Sequence, residues 1–552
     1  MTVQDQKKLW LSCPAMPQEL IDELRSMDNE TANDCFYRDL AFGTGGLRGV
    51  LGAGTNRMNV FTVLKATRGL AQYLKESFPD PSCAISCDSR IHSRDFANLT
   101  AAVLASEGIH VFLYPKLQPT PMLSFAVRYL HASAGVMVTA SHNPARYNGY
   151  KVYGSDGCQI TPEAAKRIQR LIDGIFIPCE SIPSFETGLS SGMITYIGDQ
   201  TIEAYYQAVL KLRVSPSSCP LHLVYSPLNG AGNVTVREIM RRMGNIRVDI
   251  VEEQENPDGL FPTCPYPNPE IREAMRLAID RTIETGADLC FATDPDCDRM
   301  GAGVRVGNEV VLISGNDMGI LMLDDLCRHT NPHTDPPRVV VKTIVSTDMA
   351  EAVCRKYGIE LRNVLTGFKF IGEQIGILES QGAADRFLFG FEESYGYLSG
   401  TDVRDKDAVN AAVLLCDMAA RLKSEGRSLL TRLEELRNEF GFFAQRLMTF
   451  EYEGENGARK MKEIMKNLRC PLSDFTDPLL SSAARTDYLH DETGLPKSDV
   501  ISFRLSEDVR FVIRPSGTEP KLKAYLFARG ADQAEAERTI DRLETTVSGL
   551  CG

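Results

Sequence analysis

The chain has 552 residues, 43% of them apolar and 24% charged, a composition that excludes disordered, fibrous and membrane-embedded classes. Its length implies roughly three to five domains. Acidic residues outnumber basic ones by 73 to 60, so the long-range field opposes polyanions and excludes nucleic acid as a main partner, while a small phosphate can still bind locally.

Residues 1–27 carry Asp5, Lys7, Lys8 and Glu19 where a signal sequence would be apolar, and no later run approaches ~20 apolar residues. A cytoplasmic protein without membrane association is expected. Fifteen cysteines are scattered with no Cys-x-x-Cys pair, which predicts reduced, mostly buried thiols. Cys83 and Cys87 flank a predicted buried strand over 84–87, not a metal site.

Four segments each alternate apolar strand, polar loop and amphipathic helix. The first, 1–205, holds the glycine-rich stretch 43–49 and an apolar run over 134–140 that leads into Ser141. The second, 206–315, has a strand over 221–225, a loop over 226–233, a helix over 234–243 and a strand over 289–293 that leads into Asp294. The third, 316–444, has a strand over 338–342, a helix after Thr347, a loop over 365–370, a strand over 387–391 that feeds 392–396, and a long helix over 408–424. The fourth, 445–552, is α+β, with paired strands over 500–505 and 509–513 and a closing helix over 531–547. Ligands of open α/β sheets gather at the carboxyl ends of strands, which favours the loops after 140 and 293.

Thr139-Ala140-Ser141-His142-Asn143-Pro144 sets a hydroxyl at a strand end, with a turn enforced by Asn143-Pro144, a neighbouring imidazole, and Lys151 close behind. A lone serine is more often a cap or turn residue, but beside cations this one suits a phosphoryl carrier. Asp294-Pro295-Asp296-Cys297-Asp298-Arg299 supplies three alternating carboxylates, a compact way to hold a divalent cation. It is not a helix-loop-helix calcium site, because Arg299 and Arg305 stand where that loop needs glycine and glutamate. A solvated acidic turn is the bland alternative.

Arg514-Pro515-Ser516-Gly517-Thr518 joins a guanidinium, two hydroxyls and a pliant glycine, resembling a phosphate cradle, against the alternative of an ordinary β-turn. Glu392 and Ser394 suit sugar hydroxyls, against a helix-start capping cluster. The stretch 43–49 lacks the lysine and hydroxyl of a nucleotide P-loop and the dinucleotide spacing, so ATP and NAD are not implied.

With these motifs in this order, the chain resembles the α-D-phosphohexomutase superfamily over nearly its whole length. Residues 44–49, 54–59, 366–370 and 404–407 look more like its phosphoglucomutase and phosphopentomutase branch. The resemblance implies an α/β fold with four domains around a central cleft, three related mixed-sheet units and a C-terminal α+β lid, divided as 1–205, 206–315, 316–444 and 445–552. It implies an intramolecular phosphotransferase of the isomerase class. Phospho-Ser141 would pass its phosphoryl group to a hexose 1-phosphate, glucose 1,6-bisphosphate would reorient, and the other phosphate would return to Ser141.

On the same resemblance, Asp294, Asp296, Asp298 and a phosphate oxygen on Ser141 would hold one Mg²⁺. Arg48, His142, Lys151 and Arg299 would line the transfer site, with Lys151 and Lys406 shuttling protons or holding charge. Thr366, Gly367, Glu392 and Ser394 would meet the sugar, and Arg514, Ser516, Gly517 and Thr518 its phosphate. Glucose phosphate is the expected substrate, with ribose or deoxyribose phosphate and mannose phosphate as alternatives, and a non-catalytic phosphosugar-binding regulator as the rival of another class. Tyr397, where one branch has histidine, and Ala408, where glycine is common, are expected to tune which sugar fits. Monomer and dimer are both compatible with the sequence.

Overall fold

The computed structural model describes residues 2–43, 45–175, 182–331, 333–452, 454–475, 477–516 and 521–552. Among them lie four sheets, and the first three repeat one plan. In the first, Ser82–Cys87 pairs parallel with His110–Leu113 and with Ala134–Val138, and Tyr147–Gly154 returns antiparallel along Ala134–Val138. In the second, Leu221–Ser226 lies parallel to Ile246–Ile250 and Leu289–Thr293, and Met300–Val306 returns along Leu289–Thr293. In the third, Val339–Thr343 lies parallel to Glu360–Val364 and Phe387–Glu392, and Gly396–Ser399 returns along Phe387–Glu392.

The strands that precede the return turns, Ala134–Val138, Leu289–Thr293 and Phe387–Glu392, are buried at every residue. Parallel strands covered on both faces require such unbroken apolar runs. Each then hands the chain to its antiparallel neighbour through a short turn, and each turn contains a non-glycine residue at positive φ: Ser141 at 53°, Cys297 at 55° and Tyr395 at 67°. That backbone region costs about 1 kcal/mol or more for a residue with a Cβ, so surrounding contacts must hold it. Three α/β units of one design therefore present three equivalent turns.

The fourth sheet is antiparallel throughout, in the order Phe442–Glu451, Lys521–Gly530, Val509–Pro515, Ile501–Arg504, Ala484–Asp487. Helix Gln533–Cys551 covers it, burying Ile540, Leu543 and Val547 against Phe503, Phe511 and Leu526. An apolar cluster joins this unit to the third, with Ile344, Val345 and Leu365 against Val500, Val512, Tyr525 and Phe527. Beside it Arg510 pairs with Asp348 at 2.6 Å through both Nε and an Nη.

Helix Ala408–Ser424 is buried on almost every face, which explains why its sequence is mostly apolar, with Asn410, Asp417 and Arg421 buried among partners. It starts at Asp407, whose carboxylate accepts the Asn410 N–H at 2.9 Å. Several expected elements shift at their ends. The second unit's helix begins two residues early, at Gly232, and the closing helix runs Gln533–Cys551 because Asp532 caps it. Strand Val509–Pro515 extends past Ile513 and takes Arg514 into the ladder opposite Lys523. Among the described residues fourteen cysteines are free thiols, all but Cys219 and Cys470 buried, and Cys83 and Cys87 lie in Ser82–Cys87 as expected. Among the described residues no helix is long and apolar enough to cross a membrane.

Candidate active site

The chain leaves the first sheet at Thr139, whose Oγ1 accepts the Ser141 N–H at 2.8 Å and donates to Asp88 Oδ2 at 2.6 Å. Ser141 is thereby held in its left-handed conformation, facing the second unit. A Cβ on Gly149 would stand 2.5 Å from the Thr139 carbonyl, so only glycine lets the return strand pass so close. Arg48, on strand Gly46–Val50, donates to Asn143 Oδ1 at 3.3 Å. The Ser141 hydroxyl lies 3.2 Å from His142 Nδ1 and donates to Asp294 Oδ2 at 2.9 Å.

Asp294, Asp296 and Asp298 are fully buried, with ligand atoms within 4.8 Å of one another. This is no solvated acidic turn. Asp294 Oδ1 accepts the backbone N–H groups of Asp298 and Arg299, each at 3.0 Å. Asp296 Oδ2 accepts from Thr120 Oγ1 at 2.9 Å and Lys151 Nζ at 2.7 Å. Asp298 Oδ2 faces Lys406 Nζ at 3.2 Å and Lys151 Nζ at 3.4 Å. The second oxygens, Asp296 Oδ1 and Asp298 Oδ1, are buried without a hydrogen-bond partner. Three carboxylates with two orphaned oxygens fit a hard divalent cation, which would satisfy them.

The charges here are strongly coupled to their surroundings. Burial, then repulsion from Asp298 and Asp296, pushes the Asp294 carboxyl well above the ordinary carboxylate range. Burial opposes ionisation of Asp296 too, but Lys151 outweighs it and holds that carboxyl low. Burial works against the Lys151 ammonium, yet Asp296 and Asp298 keep it charged. Lys406 is kept charged in the same way by Asp298, Asp405 and Glu392. For His142, burial followed by the Arg299 and Arg48 guanidinium groups depresses the imidazole far below its usual value, so it is neutral.

Glu392 closes strand Phe387–Glu392 and belongs to a hairpin, so it does not cap a helix. Its Oε1 accepts the Gly367 N–H at 2.9 Å, and the neighbouring Thr366 Oγ1 is buried without a partner. Arg299 ties the second turn to the third by donating to the Ser394 carbonyl at 2.7 Å. Tyr397 is fully buried, with its hydroxyl donating to the Gly315 carbonyl at 3.3 Å, and Ala408 is buried at the start of its helix.

Ser141, His142, the three aspartates, Lys151, Lys406, Arg299, Glu392 and Gly367 thus come together where the three turns converge. Arg514 and Ser516 stand apart from that network. Arg514 donates to the Tyr525 hydroxyl at 3.0 Å, and the Ser516 N–H bonds the Lys521 carbonyl at 2.7 Å. Gly517 and Thr518 lie outside the described residues.

Sequence reasoning missed Asp88, Arg90 and Thr120, and also the pair Tyr153–Asp405, whose hydroxyl and carboxylate meet at 2.8 Å while Asp405 Oδ1 accepts from Lys406 Nζ at 3.0 Å. Asp88 and Arg90 follow strand Ser82–Cys87, and the strand-end rule applied to Ser141 would have found them.

Models of the phosphoglucomutase/phosphomannomutase family match in order: α/β/α domain I over residues 39–176, domain II over 203–307, domain III over 314–440 and the C-terminal domain over 467–545. A phosphoglucomutase of Staphylococcus epidermidis is 36% identical over 517 residues, covering 92% of this chain and 93% of the relative. Among solved structures, the open form of Paramecium parafusin, a phosphoglucomutase, superposes with a TM-score of 0.69 at 17% identity, covering 93% and 95% of the two chains. The Aspergillus fumigatus N-acetylphosphoglucosamine mutase, in complex with GlcNAc-6P and magnesium, does so with 0.52 at 16% identity, covering 94% and 97%.

Proposed function

We propose, on the premise that this chain belongs to the phosphoglucomutase/phosphomannomutase family, that it interconverts glucose 1-phosphate and glucose 6-phosphate through phospho-Ser141 and glucose 1,6-bisphosphate. It is an intramolecular phosphotransferase of the isomerase class. The single observation that carries the mechanism is the Ser141 hydroxyl 2.9 Å from Asp294 at the edge of a buried carboxylate triad.

Asp294, Asp296 and Asp298 would hold Mg²⁺, as the donor set and orphaned oxygens favour. When bound, the ion neutralises charge on the phosphoryl oxygens. Transfer breaks the bond from phosphorus to Ser141 Oγ as a bond to the sugar hydroxyl oxygen forms. Neutral His142, 3.2 Å from Oγ, is suited to accept the proton that the attacking sugar hydroxyl releases and to pass it to the leaving serine oxygen, and to run that relay in reverse when the second phosphate returns. Lys151, Lys406, Arg299 and Arg48 supply fixed positive charge, the dominant contribution in phosphoryl transfer. Thr366, Gly367, Glu392 and Ser394 would orient the sugar, and Arg514 with Ser516, Gly517 and Thr518 would grip the phosphate that is not reacting.

In this scheme 1–205 carries the nucleophile, 206–315 the metal turn, 316–444 the sugar loops, and 445–552 the phosphate-binding lid. The free thiols suit a reducing, cytoplasmic setting. Coupled assays with glucose, ribose and mannose 1-phosphates test the reading. The highest kcat/KM is expected for glucose 1-phosphate, and an equal or higher value for ribose 1-phosphate would overturn the sugar assignment.

A further inference from the structure

Arg90 lies wholly inside the protein, yet it approaches no substrate-binding group. Both of its terminal nitrogens are committed. One terminal nitrogen donates to the carbonyls of Pro144 at 3.0 Å and Tyr147 at 3.1 Å, and the other donates to the carbonyls of Ser141 and Asn143. Its Nε faces Asp88 Oδ2 at 3.3 Å, with both side chains completely buried. Asp88 in turn accepts from Thr139 and from Ser93 Oγ, the latter at 2.8 Å. One guanidinium therefore spans the whole serine turn from the residue that carries the nucleophile to the start of the return strand.

The second unit clamps this guanidinium from the other side. The Phe261 ring lies 5.1 Å from the Arg90 guanidinium carbon, and Phe261 itself is buried at a φ of 47°. Two residues earlier the backbones touch, for a Cβ on Gly259 would stand 2.5 Å from Ile91 N and 2.8 Å from Ser89 O. Phe261 belongs to the same unit as the aspartate triad. These contacts reference the serine turn to the body that holds the carboxylates.

We infer that Arg90 is a positioning residue for phosphoryl transfer: clamped by Phe261, it fixes the place of Ser141 relative to Asp294, Asp296 and Asp298. A lysine would keep the charge but not the planar fork, since three donors on one nitrogen cannot serve four spread carbonyls. The inference rests on the reading of Ser141 as the phosphoryl carrier.

The test compares Arg90→Lys and Phe261→Leu with the wild-type enzyme by steady-state kinetics on glucose 1-phosphate, by thermal unfolding, and by hydrogen exchange of the peptide over 139–147. Misplacing a reacting group by an ångström costs about 10²-fold, so kcat should fall about that far in Arg90→Lys and roughly tenfold in Phe261→Leu. KM should stay within about twofold, because Glu392 and Arg514 are untouched. Exchange should quicken over 139–147 and not elsewhere.

A kcat within about twofold of wild type in either folded variant, or a loss carried by KM instead, overturns the inference. If Arg90→Lys does not fold, Phe261→Leu decides alone. Should the wild-type enzyme turn over no sugar phosphate, the functional reading fails, while selective exchange over 139–147 would still support the clamp.

Discussion

At the turns after Val138 and Thr293 the three aspartates are buried among fixed partners from neighbouring elements, whereas the hairpin that carries Arg514 offers one guanidinium leaning on Tyr525. The serine and aspartate turns are bonded across units by Ser141–Asp294, Lys151–Asp296 and Thr120–Asp296. The fourth unit joins its neighbour through the apolar cluster around Ile344 and Tyr525 and the Arg510–Asp348 pair. On the proposed mechanism, bond making and breaking would take place where the charges are held by bonds between units, because transition-state stabilisation by preorganised charge fails if the charges relax. On the proposed reading, recognition of the distant phosphate falls to the fourth sheet, and its closure would bind and exclude water together.

The sharpest way to break this contrast is Ser141→Ala, which should lower kcat by about 10⁴-fold or more while equilibrium binding of glucose 1-phosphate stays within a few-fold. Retained turnover would remove the phosphoserine mechanism. Next, Asp296→Asn leaves Lys151 facing a neutral amide and weakens the triad. The Mg²⁺ concentration for half-maximal activity should rise about 10²-fold, with chelator abolishing wild-type activity and Mg²⁺ restoring it. In the fourth unit, Arg514→Ala would remove one charge-assisted contact worth about 1.5 to 3 kcal/mol, so KM should rise roughly 10- to 100-fold with a smaller change in kcat. An unchanged KM would detach the hairpin from phosphate binding.

The smallest effect is one of pH. Burial pushes the Asp407 carboxyl up to about 6 from an ordinary 3.8, beside Tyr205, whose hydroxyl it accepts at 3.1 Å. A carboxyl raised on folding contributes stability that is complete below the unfolded value and is lost as pH rises through the folded one. Asp407→Asn removes this dependence. The stability of the variant relative to wild type should therefore grow by on the order of 2 kcal/mol between pH 4 and pH 7.5, readable by denaturant titration. A constant difference would show that Asp407 does not titrate in that window.

Much of this was legible because the chemistry sits at strand ends. The buried runs before Ser141, Asp294 and Glu392 announce parallel strands, and Pro144 and Pro295 announce the turns that follow. The shared geometry of the three turns was not legible. Positive φ falls on Ser141, Cys297 and Tyr395, residues that carry no common side-chain signal, and only the strand pairing reveals their equivalence.

Arg90 and Thr120 escaped for a different reason. A buried arginine bonded to carbonyls, or a threonine bonded to a carboxylate across 176 residues, is invisible until the chain is folded. The burial of Tyr397 and Ala408 was equally illegible, since both lie near the loops after Leu365 and Glu392 in sequence yet are buried.

The claim that Ser141 hands its phosphoryl group to the sugar is tested most directly by a single turnover. Enzyme labelled with ³²P on Ser141 is mixed with unlabelled glucose 1-phosphate and quenched over milliseconds to seconds. The label should leave the peptide containing Ser141 and appear in glucose 1,6-bisphosphate at a rate no slower than kcat. Label that stays on the peptide, or that emerges only as inorganic phosphate, would contradict the mechanism.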